Sequence, residues 1–384
     1  MSFPKKLVIL GATGSIGQSS LQVIRKHPDK LELIGISAFK NAEKLTGIAH
    51  EFGVAHVHLH ETPVKHLELP PGVKFSSGAE ALSELAALNE ADIILVAVVG
   101  AAGLVPTLAA LEAGKDVVLA NKESLVVGGE LVMETARLNG ARILPADSEH
   151  NAVFQCLQGQ PEHCLDSLAL TASGGPLRDL PLDALERVTP EEALKHPNWE
   201  MGPKITVDSA TMANKGLELI EAKWLFGLPP EKLHVLIHPP SLVHALVRFK
   251  DGCSLAQMSP PSMTFALQNA LLFPERHLGV ETGLDFSRSM ELSFSPPDLK
   301  RYPCLKLAIE SLKCGGCSPL VFNAANEIAV EAFLANRIGF LDISYIIDGT
   351  LNLFEHRPFQ SLEDLLSLDK EARALTKKVL GQVA

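Results

Sequence analysis

Leu7-Val8-Ile9-Leu10-Gly11-Ala12-Thr13-Gly14-Ser15-Ile16-Gly17 decides the fold of this chain. Four apolar residues of the kind that fill a buried strand run straight into a glycine turn, and residues 18–25 then follow a helical pattern. Glycines in that place allow a tight bend and a close approach of backbone to a pyrophosphate, which rests on the N-terminus of the following helix. The spacing is GxxGxxG, not the standard GxGxxG, so a plain turn with two packing glycines is the competing reading. Strand before and helix after favour dinucleotide binding.

The same rhythm continues outward. Residues 31–37, 93–99, 116–120 and 141–144 are further β-rich runs, most of them followed by glycine-bearing or polar residues and an amphipathic stretch. This is a βαβ series, and it predicts an α/β fold with an N-terminal doubly wound, Rossmann-like parallel sheet. Residues 93–111 are 19 positions without a charge. Gly100, Gly103 and Pro106 interrupt them and Asp92 and Glu112 frame them, which suits a buried strand, a glycine loop and a packed helix better than a membrane span. The chain enters its first strand at Lys5-Lys6, leaving no room for a signal or transit peptide.

At 384 residues the chain should hold two or three domains. We expect a cofactor domain over 1–146, an α/β catalytic domain over 147–272, where the chemical-looking side chains gather, and a linker over 273–299 containing Pro296-Pro297. A helical C-terminal domain over 300–384 follows from the 3.6-residue periodicity of 305–312, 323–335 and 362–383. A net charge of −11 excludes a general nucleic-acid binder. Six cysteines in so long a chain make no disulfide framework, and a reducing cytoplasm fits them best. The Cys314-Gly-Gly-Cys317 pair lacks the second pair or histidine that would complete a zinc site.

The second strand speaks to the cofactor. An NAD enzyme usually ends it with an acid for the ribose 2′-hydroxyl. Here it ends Ser37-Ala38-Phe39-Lys40-Asn41, with no acid before Glu43, and a cation beside an amide suits the 2′-phosphate of NADP. Asn121-Lys122-Glu123-Ser124 follows the strand at 116–120 and should lie at the ligand-binding edge of the sheet.

Pro145-Ala146-Asp147-Ser148-Glu149-His150-Asn151 carries the first two candidate metal ligands. Read as an extended segment, it would point Asp147 and Glu149 the same way. Glu218 offers a third carboxylate, and on a helix it would share a face with Asn214 and lie three residues from Lys215. Three oxygen ligands without Cys or His describe a hard cation, Mg²⁺ or Mn²⁺, although acids also cluster on solvated surfaces. Thr171-Ala172-Ser173-Gly174-Gly175 reads as an anion nest, and Ser209, Asn214 and Lys215 add phosphate donors. His196-Pro197-Asn198-Trp199-Glu200-Met201-Gly202 places one of the chain's two tryptophans on a loop suited to a closing lid or a buried anchor. Trp224, at helical spacing from Leu217 and Ile220, reads as core. No Ser/His/Asp triad or reactive cysteine competes.

With these residues in view, the chain resembles the 1-deoxy-D-xylulose 5-phosphate reductoisomerase family along essentially its whole length. GATGSIG (11–17), VGAAGL (99–104), LANKES (119–124), PADSEHN (145–151), TASGGP (171–176), HPNWEMG (196–202) and VDSATMANKGLELIEA (207–222) carry the likeness. HPPS (238–241), RYPCLKLA (301–308) and NAANE (323–327) extend it. The resemblance implies an NADPH- and Mg²⁺- or Mn²⁺-dependent oxidoreductase of isoprenoid synthesis, a homodimer of cytoplasmic type. It would convert 1-deoxy-D-xylulose 5-phosphate, a small sugar phosphate, into 2-C-methyl-D-erythritol 4-phosphate, with no nucleic-acid or membrane partner. It further implies metal ligation by Asp147, Glu149 and Glu218, with Lys215 beside them. Substrate contacts are implied at Ser148, Glu149, Ser173, His196, Ser209, Asn214, Lys215, Glu218 and Met263, with Trp199 on the lid. Cofactor contacts are implied at Thr13, Gly14, Ser15, Ile16, Lys40, Asn41, Asn121, Lys122, Glu123 and Gly202. Three places depart from the family's pattern: Ala12 for Ser, Phe39 where Gly is common, and Ser262-Met263-Thr264-Phe265-Ala266 for a D-M-R-T-P run. Two rival readings are a plain NADP-linked dehydrogenase of another phosphorylated metabolite and a non-catalytic NADP sensor.

Overall fold

The computed structural model describes residues 3–61, 67–199 and 201–383. It resolves into two compact units, one of Met1–Ser124, Val132–Asn151 and Ser262–Gly283, the other of Leu125–Leu131, Ala152–Pro261 and Leu284–Ala384.

The first unit is built on seven strands: β1 (Lys5–Leu10), β2 (Leu31–Ala38), β3 (His56–Leu59), β4 (Lys74–Ser76), β5 (Ile93–Val96), β6 (Asp116–Leu119) and β7 (Ile143–Pro145). They form one parallel sheet in the order β4-β3-β2-β1-β5-β6-β7. Leu7, Val8, Ile9 and Leu10 are fully buried, as a strand covered on both faces requires. The chain steps from β1 to one side and later from β5 to the other, so the strand order reverses between them. Crevices for ligands in such sheets open at that reversal, at the carboxyl edge. The expected sheet is present, with two additions. β3 and β4 escaped the apolar pattern because His56 and His58 break the run and β4 is mostly exposed. The uncharged stretch resolves into β5, a turn and the helix Leu104–Glu112, and no described helix is long and apolar enough to cross a membrane.

Residues 147–149 are not extended as the sequence reading supposed. The helix Ser148–Leu157 begins there, and the Asn151 amide donates to the Asp147 carbonyl at 2.9 Å. Asp147 is thus the residue that opens the helix. An acid in that position, followed by Glu149 in the first turn, is favoured by the free amides and dipole of a helix start.

The second unit holds β8 (Leu165–Ala172), β9 (Leu233–Ile237), β10 (Val243–Phe249) and β11 (Ser254–Met258). Their order is β11-β10-β8-β9, with β8 parallel to β9 and β10 antiparallel to β8 and β11. The helices Pro303–Cys314, Ser318–Leu334, Asp342–Leu353 and Leu362–Leu380 supply the expected C-terminal helices. One apolar cluster joins Leu168, Leu170, Leu217 and Val247 to Leu305, Phe322, Phe333 and Ile346. These helices therefore share a core with the second unit's sheet. The sequence boundaries at 146/147 and 272/273 also differ from the packing: 147–151 and 262–283 belong to the first unit, where the helix Met263–Leu272 lies against Ser15–Lys26.

Candidate active site

In the first unit, the three turn glycines divide by physical role. A Cβ on Gly11 (φ +96°) would sit 2.5 Å from the Ala97 carbonyl oxygen, and one on Gly17 2.5 Å from the carbonyl oxygens of Gly11 and Ala12. The fold itself requires both. Gly14 is exposed, and its Cβ would meet nothing nearer than 3.5 Å. It opens the helix Ser15–Lys26 without a side-chain cap and with no acid in the first turn. Uncapped amides and a positive dipole end, flanked by exposed Ser15 and half-buried Thr13 and Ile16, suit a pyrophosphate. Lys40 is exposed. Asn41 has a second task, since its Oδ1 accepts from the Lys44 amide at 3.1 Å and caps the helix Ala42–Phe52.

Asn121 is 1% exposed and its side chain is committed within the unit. Its Oδ1 accepts from the Ser124 amide at 3.0 Å, capping Lys122–Asn139. Its Nδ2 donates to the carbonyls of Val98 (2.9 Å) and Gly100 (2.8 Å) and to Glu123 (3.0 Å). It clamps the loop after β5 to this helix start, and a Cβ on Gly103 would overlap it. Lys122 Nζ lies 2.5 Å from the Asp147 carboxylate, with little of either side chain exposed. Ser148 Oγ donates to Glu149 Oε2 at 2.5 Å. Met263 stands in the first turn of Met263–Leu272, whose N-cap is Ser262. The hydroxyls of Ser262 and Thr264, both within the departure from the family pattern, donate to Glu281 Oε1 at 2.6 and 2.7 Å.

In the second unit, both glycines of the expected nest have positive φ, Gly174 at +85° and Gly175 at +72°. The neighbouring His196 fixes the direction of the Ser173 hydroxyl. His196 Nδ1 accepts from the amides of Asn198 (3.2 Å) and Trp199 (3.0 Å), so the neutral ring carries its proton on Nε2. That nitrogen lies 3.1 Å from Ser173 Oγ, which also accepts from the Gly175 amide at 3.1 Å. With both lone pairs of Ser173 Oγ engaged, its own proton is the one to donate to a ligand. Burial keeps the ring neutral by lowering the His196 pKa to about 4.

The helices Pro203–Thr211 and Ala213–Phe226 meet at Met212, in the left-handed region at φ +60°. Gly202 opens the first, and half-buried Ser209 lies in its last turn. On the second, Asn214 Nδ2 donates to Glu218 Oε1 at 2.5 Å and Lys215 pairs with the other oxygen. The Lys215 and Glu218 side chains are 3% and 1% exposed. The expected helix face is therefore real, and it is buried. An ion pair so deep costs much desolvation and is weak evidence for stability.

Sequence reading missed the residues that hold these groups. Tyr302, 3% exposed, donates from its hydroxyl to the Gly174 carbonyl at 2.9 Å, and Arg178 Nη1 donates to the Ser173 carbonyl at 2.6 Å. Asn198 Nδ2 donates to the Pro239 carbonyl (2.7 Å) and Ser241 Oγ (2.9 Å), anchoring the Trp199 loop to the 238–241 turn. The half-buried Trp199 ring presents an edge to His244. The 301–308, 196–202 and 238–241 motifs contain Tyr302, Asn198 and the turn it grips, but not the pattern of these contacts.

Comparison with known proteins gives the same answer over the whole chain. The family model for 1-deoxy-D-xylulose 5-phosphate reductoisomerase matches residues 7–129, and models for its C-terminal domains match 143–226 and 258–375. The 1-deoxy-D-xylulose 5-phosphate reductoisomerase of Shewanella amazonensis is 47% identical, covering 99% of this chain and 100% of its own. That of Thermodesulfovibrio yellowstonii is 46% identical, over 98% and 100%. Among solved structures, a DOX-P reductoisomerase in complex with NADPH, fosmidomycin and magnesium superposes with a TM-score of 0.92 at 40% identity, over 98% of each chain. The Zymomonas mobilis enzyme in complex with NADPH gives 0.91 at 42% identity, over 98% of this chain and 99% of its own.

Proposed function

This chain belongs to the 1-deoxy-D-xylulose 5-phosphate reductoisomerase family, and from that premise we propose which of its residues perform the family's chemistry. It is an NADPH- and divalent-metal-dependent oxidoreductase that rearranges 1-deoxy-D-xylulose 5-phosphate and reduces the resulting aldehyde to 2-C-methyl-D-erythritol 4-phosphate. The observation that best supports our assignment of the substrate end is Ser173, whose hydroxyl is turned into a donor by His196 and Gly175.

We assign Thr13, Gly14, Ser15 and Ile16 to the pyrophosphate, Lys40 and Asn41 to the 2′-phosphate, and Asn121, Lys122, Glu123 and Gly202 to the nicotinamide half. Because the Asn121 side chain is spent inside the fold, its contact would come from the backbone. Asp147, Glu149 and Glu218 are carboxylates without a soft ligand among them, which suits Mg²⁺ or Mn²⁺. When bound, the cation supplies Lewis acidity toward the substrate's ketone and neighbouring hydroxyl oxygens, and NADPH supplies hydride. Ser173, His196, Ser209, Asn214 and Lys215 would hold the phosphate end. That remote binding energy orients the reacting carbons and helps Trp199 and its loop to exclude water. Ser148 and Met263 would border the sugar. Lys122 pairs with Asp147 and Lys215 with Glu218, so a bound cation would displace or join these lysines.

By task, the chain divides into a cofactor part (1–146), a catalytic part (147–272), a linker (273–299) and a helical part (300–384). We place the protein in the cytoplasm and as a homodimer. The test is NADPH oxidation with 1-deoxy-D-xylulose 5-phosphate, with and without Mg²⁺ or Mn²⁺, followed by product analysis. A branched product formed only with metal supports the reading. Reduction that leaves the carbon skeleton unbranched would make this a plain dehydrogenase instead.

A further inference from the structure

Phe39 is the first residue beyond β2 and is 58% exposed. It is not a stray apolar side chain. Its ring stacks on His60, with centroids 5.3 Å apart and planes 20° from parallel. Two backbone bonds carry the β2–β3 pairing past the strand ends and fix both residues: the His60 amide donates to the Ala38 carbonyl and the Glu61 amide to the Phe39 carbonyl, each at 2.9 Å. Fully buried His58 lies 6.4 Å from His60, its ring tilted by 55°, and is tied through Nδ1 to Ser76 Oγ at 3.1 Å, so His60 has an anchored neighbour.

The place matters as much as the rings. β1 and β2 are parallel neighbours, so Phe39 and the glycine turn leave the same edge of the sheet. Lys44 Nζ donates to the Thr13 carbonyl at 3.0 Å, binding the helix after Phe39 to that turn. Exposed Lys40 is adjacent in sequence. A planar base laid on the phenyl face would cover apolar surface that the fold leaves exposed. Isolated exposed hydrophobes are ordinary on protein surfaces. A braced aromatic pair beside a cation, at the ligand edge of a dinucleotide fold, calls for a heteroaromatic ligand.

We propose that Phe39, backed by His60, is an aromatic platform for the adenine of the dinucleotide, with Lys40 reading the 2′-phosphate separately. The proposal deepens the NADPH reading above and rests on it. The platform senses only the base, so it serves NADPH and NADH alike, and discrimination stays with Lys40.

Calorimetric titration of the full-length protein with NADPH, NADH, adenosine 2′,5′-bisphosphate and nicotinamide mononucleotide tests this, with Phe39→Leu, Phe39→Trp and Lys40→Ala as variants. Phe39→Leu should weaken both dinucleotides and the adenosine fragment by the same factor, about ten-fold, and leave nicotinamide mononucleotide unaffected. Phe39→Trp should hold or tighten them. Lys40→Ala should weaken NADPH and the bisphosphate but not NADH. If Phe39→Leu binds adenosine 2′,5′-bisphosphate as the parent does, the platform is wrong while NADPH binding stands. If the parent binds no NADPH, the cofactor reading falls and the platform falls with it.

Discussion

A single imidazole sets the direction of the Ser173 hydroxyl in the proposed phosphate nest. His196 receives two backbone amides on Nδ1 and turns its remaining N–H on Ser173, and this arrangement works only while the ring is neutral. Protonating it would place a second proton between Nδ1 and two donors. Its pKa lies near 4 when folded, against an ordinary value of 6.5. Between those values the unfolded chain binds a proton that the folded chain does not, so stability falls as pH drops from 6.5 toward 4 and the contribution is complete above 6.5. We expect NMR titration to find the His196 ring neutral at pH 5, and a ring titrating near 6.5 would refute the assignment. His196→Gln keeps an N–H in place of Nε2 and should retain more affinity for the sugar phosphate, read as KM, than His196→Ala. The buried Lys215–Glu218 pair yields a second residue-scale outcome. Glu218→Gln removes the carboxylate charge that faces the buried Lys215 ammonium, which should cost about 3–5 kcal/mol in denaturant unfolding. Adding Lys215→Met should restore most of that stability but none of the metal-dependent turnover, with NADPH affinity unchanged throughout. Recovered turnover in the double variant would remove both residues from the active site.

At the scale of elements, Gly216 lets two helices touch. It lies between Lys215 and Glu218 on Ala213–Phe226, and a Cβ there would overlap the Ala308 methyl on Pro303–Cys314. Gly216→Ala should therefore lose about 1–3 kcal/mol by overpacking, despite the better helix propensity of alanine. Ala308→Gly should recover part of it, and the coupling should appear in a double-mutant cycle measured by urea unfolding. Additive effects would mean that the helices do not meet at this point. Such contacts mark the limit of what sequence can tell. The glycine turn after β1, the parallel strands and the Asn214–Lys215–Glu218 face were legible because each is a local pattern with a period. β3 was not, because its histidines disguised the alternation. The helix start at Asp147 reads equally well as extended chain, because an acidic N-terminus and a two-residue alternation look alike over three positions. Tyr302, Arg178 and Asn198 could not be foreseen, since their partners are backbone carbonyls between 5 and 128 residues away.

At the scale of the whole molecule, the second unit's sheet has two unlike edges. The outer side of β9 is partly closed, since Ile237 and Ser295 exchange backbone bonds of 2.7 and 3.1 Å. Beyond β11, at the other edge, no strand lies among the described residues. Its sequence, Ser254-Leu255-Ala256-Gln257-Met258, has no charge and no proline, the devices that usually protect an edge from pairing, and Leu255 is 44% exposed. A twofold axis can set β11 antiparallel to its own copy, extending the sheet through both protomers and closing the assembly at two. This gives the proposed homodimer a physical seat. The net charge of −11 on each copy opposes association over long range, and salt weakens that repulsion because the screening length is only about 10 Å at 0.1 M. Light scattering should therefore give about twice the chain mass of 41.3 kDa, with the dimer tightening as salt rises. Ala256→Pro removes a backbone donor from the edge and should shift the protein toward monomer, because the lost contact lies in the interface, not in the core. An unchanged dimer in that variant would move the interface to another surface. A wild-type monomer at micromolar concentration would end the homodimer proposal.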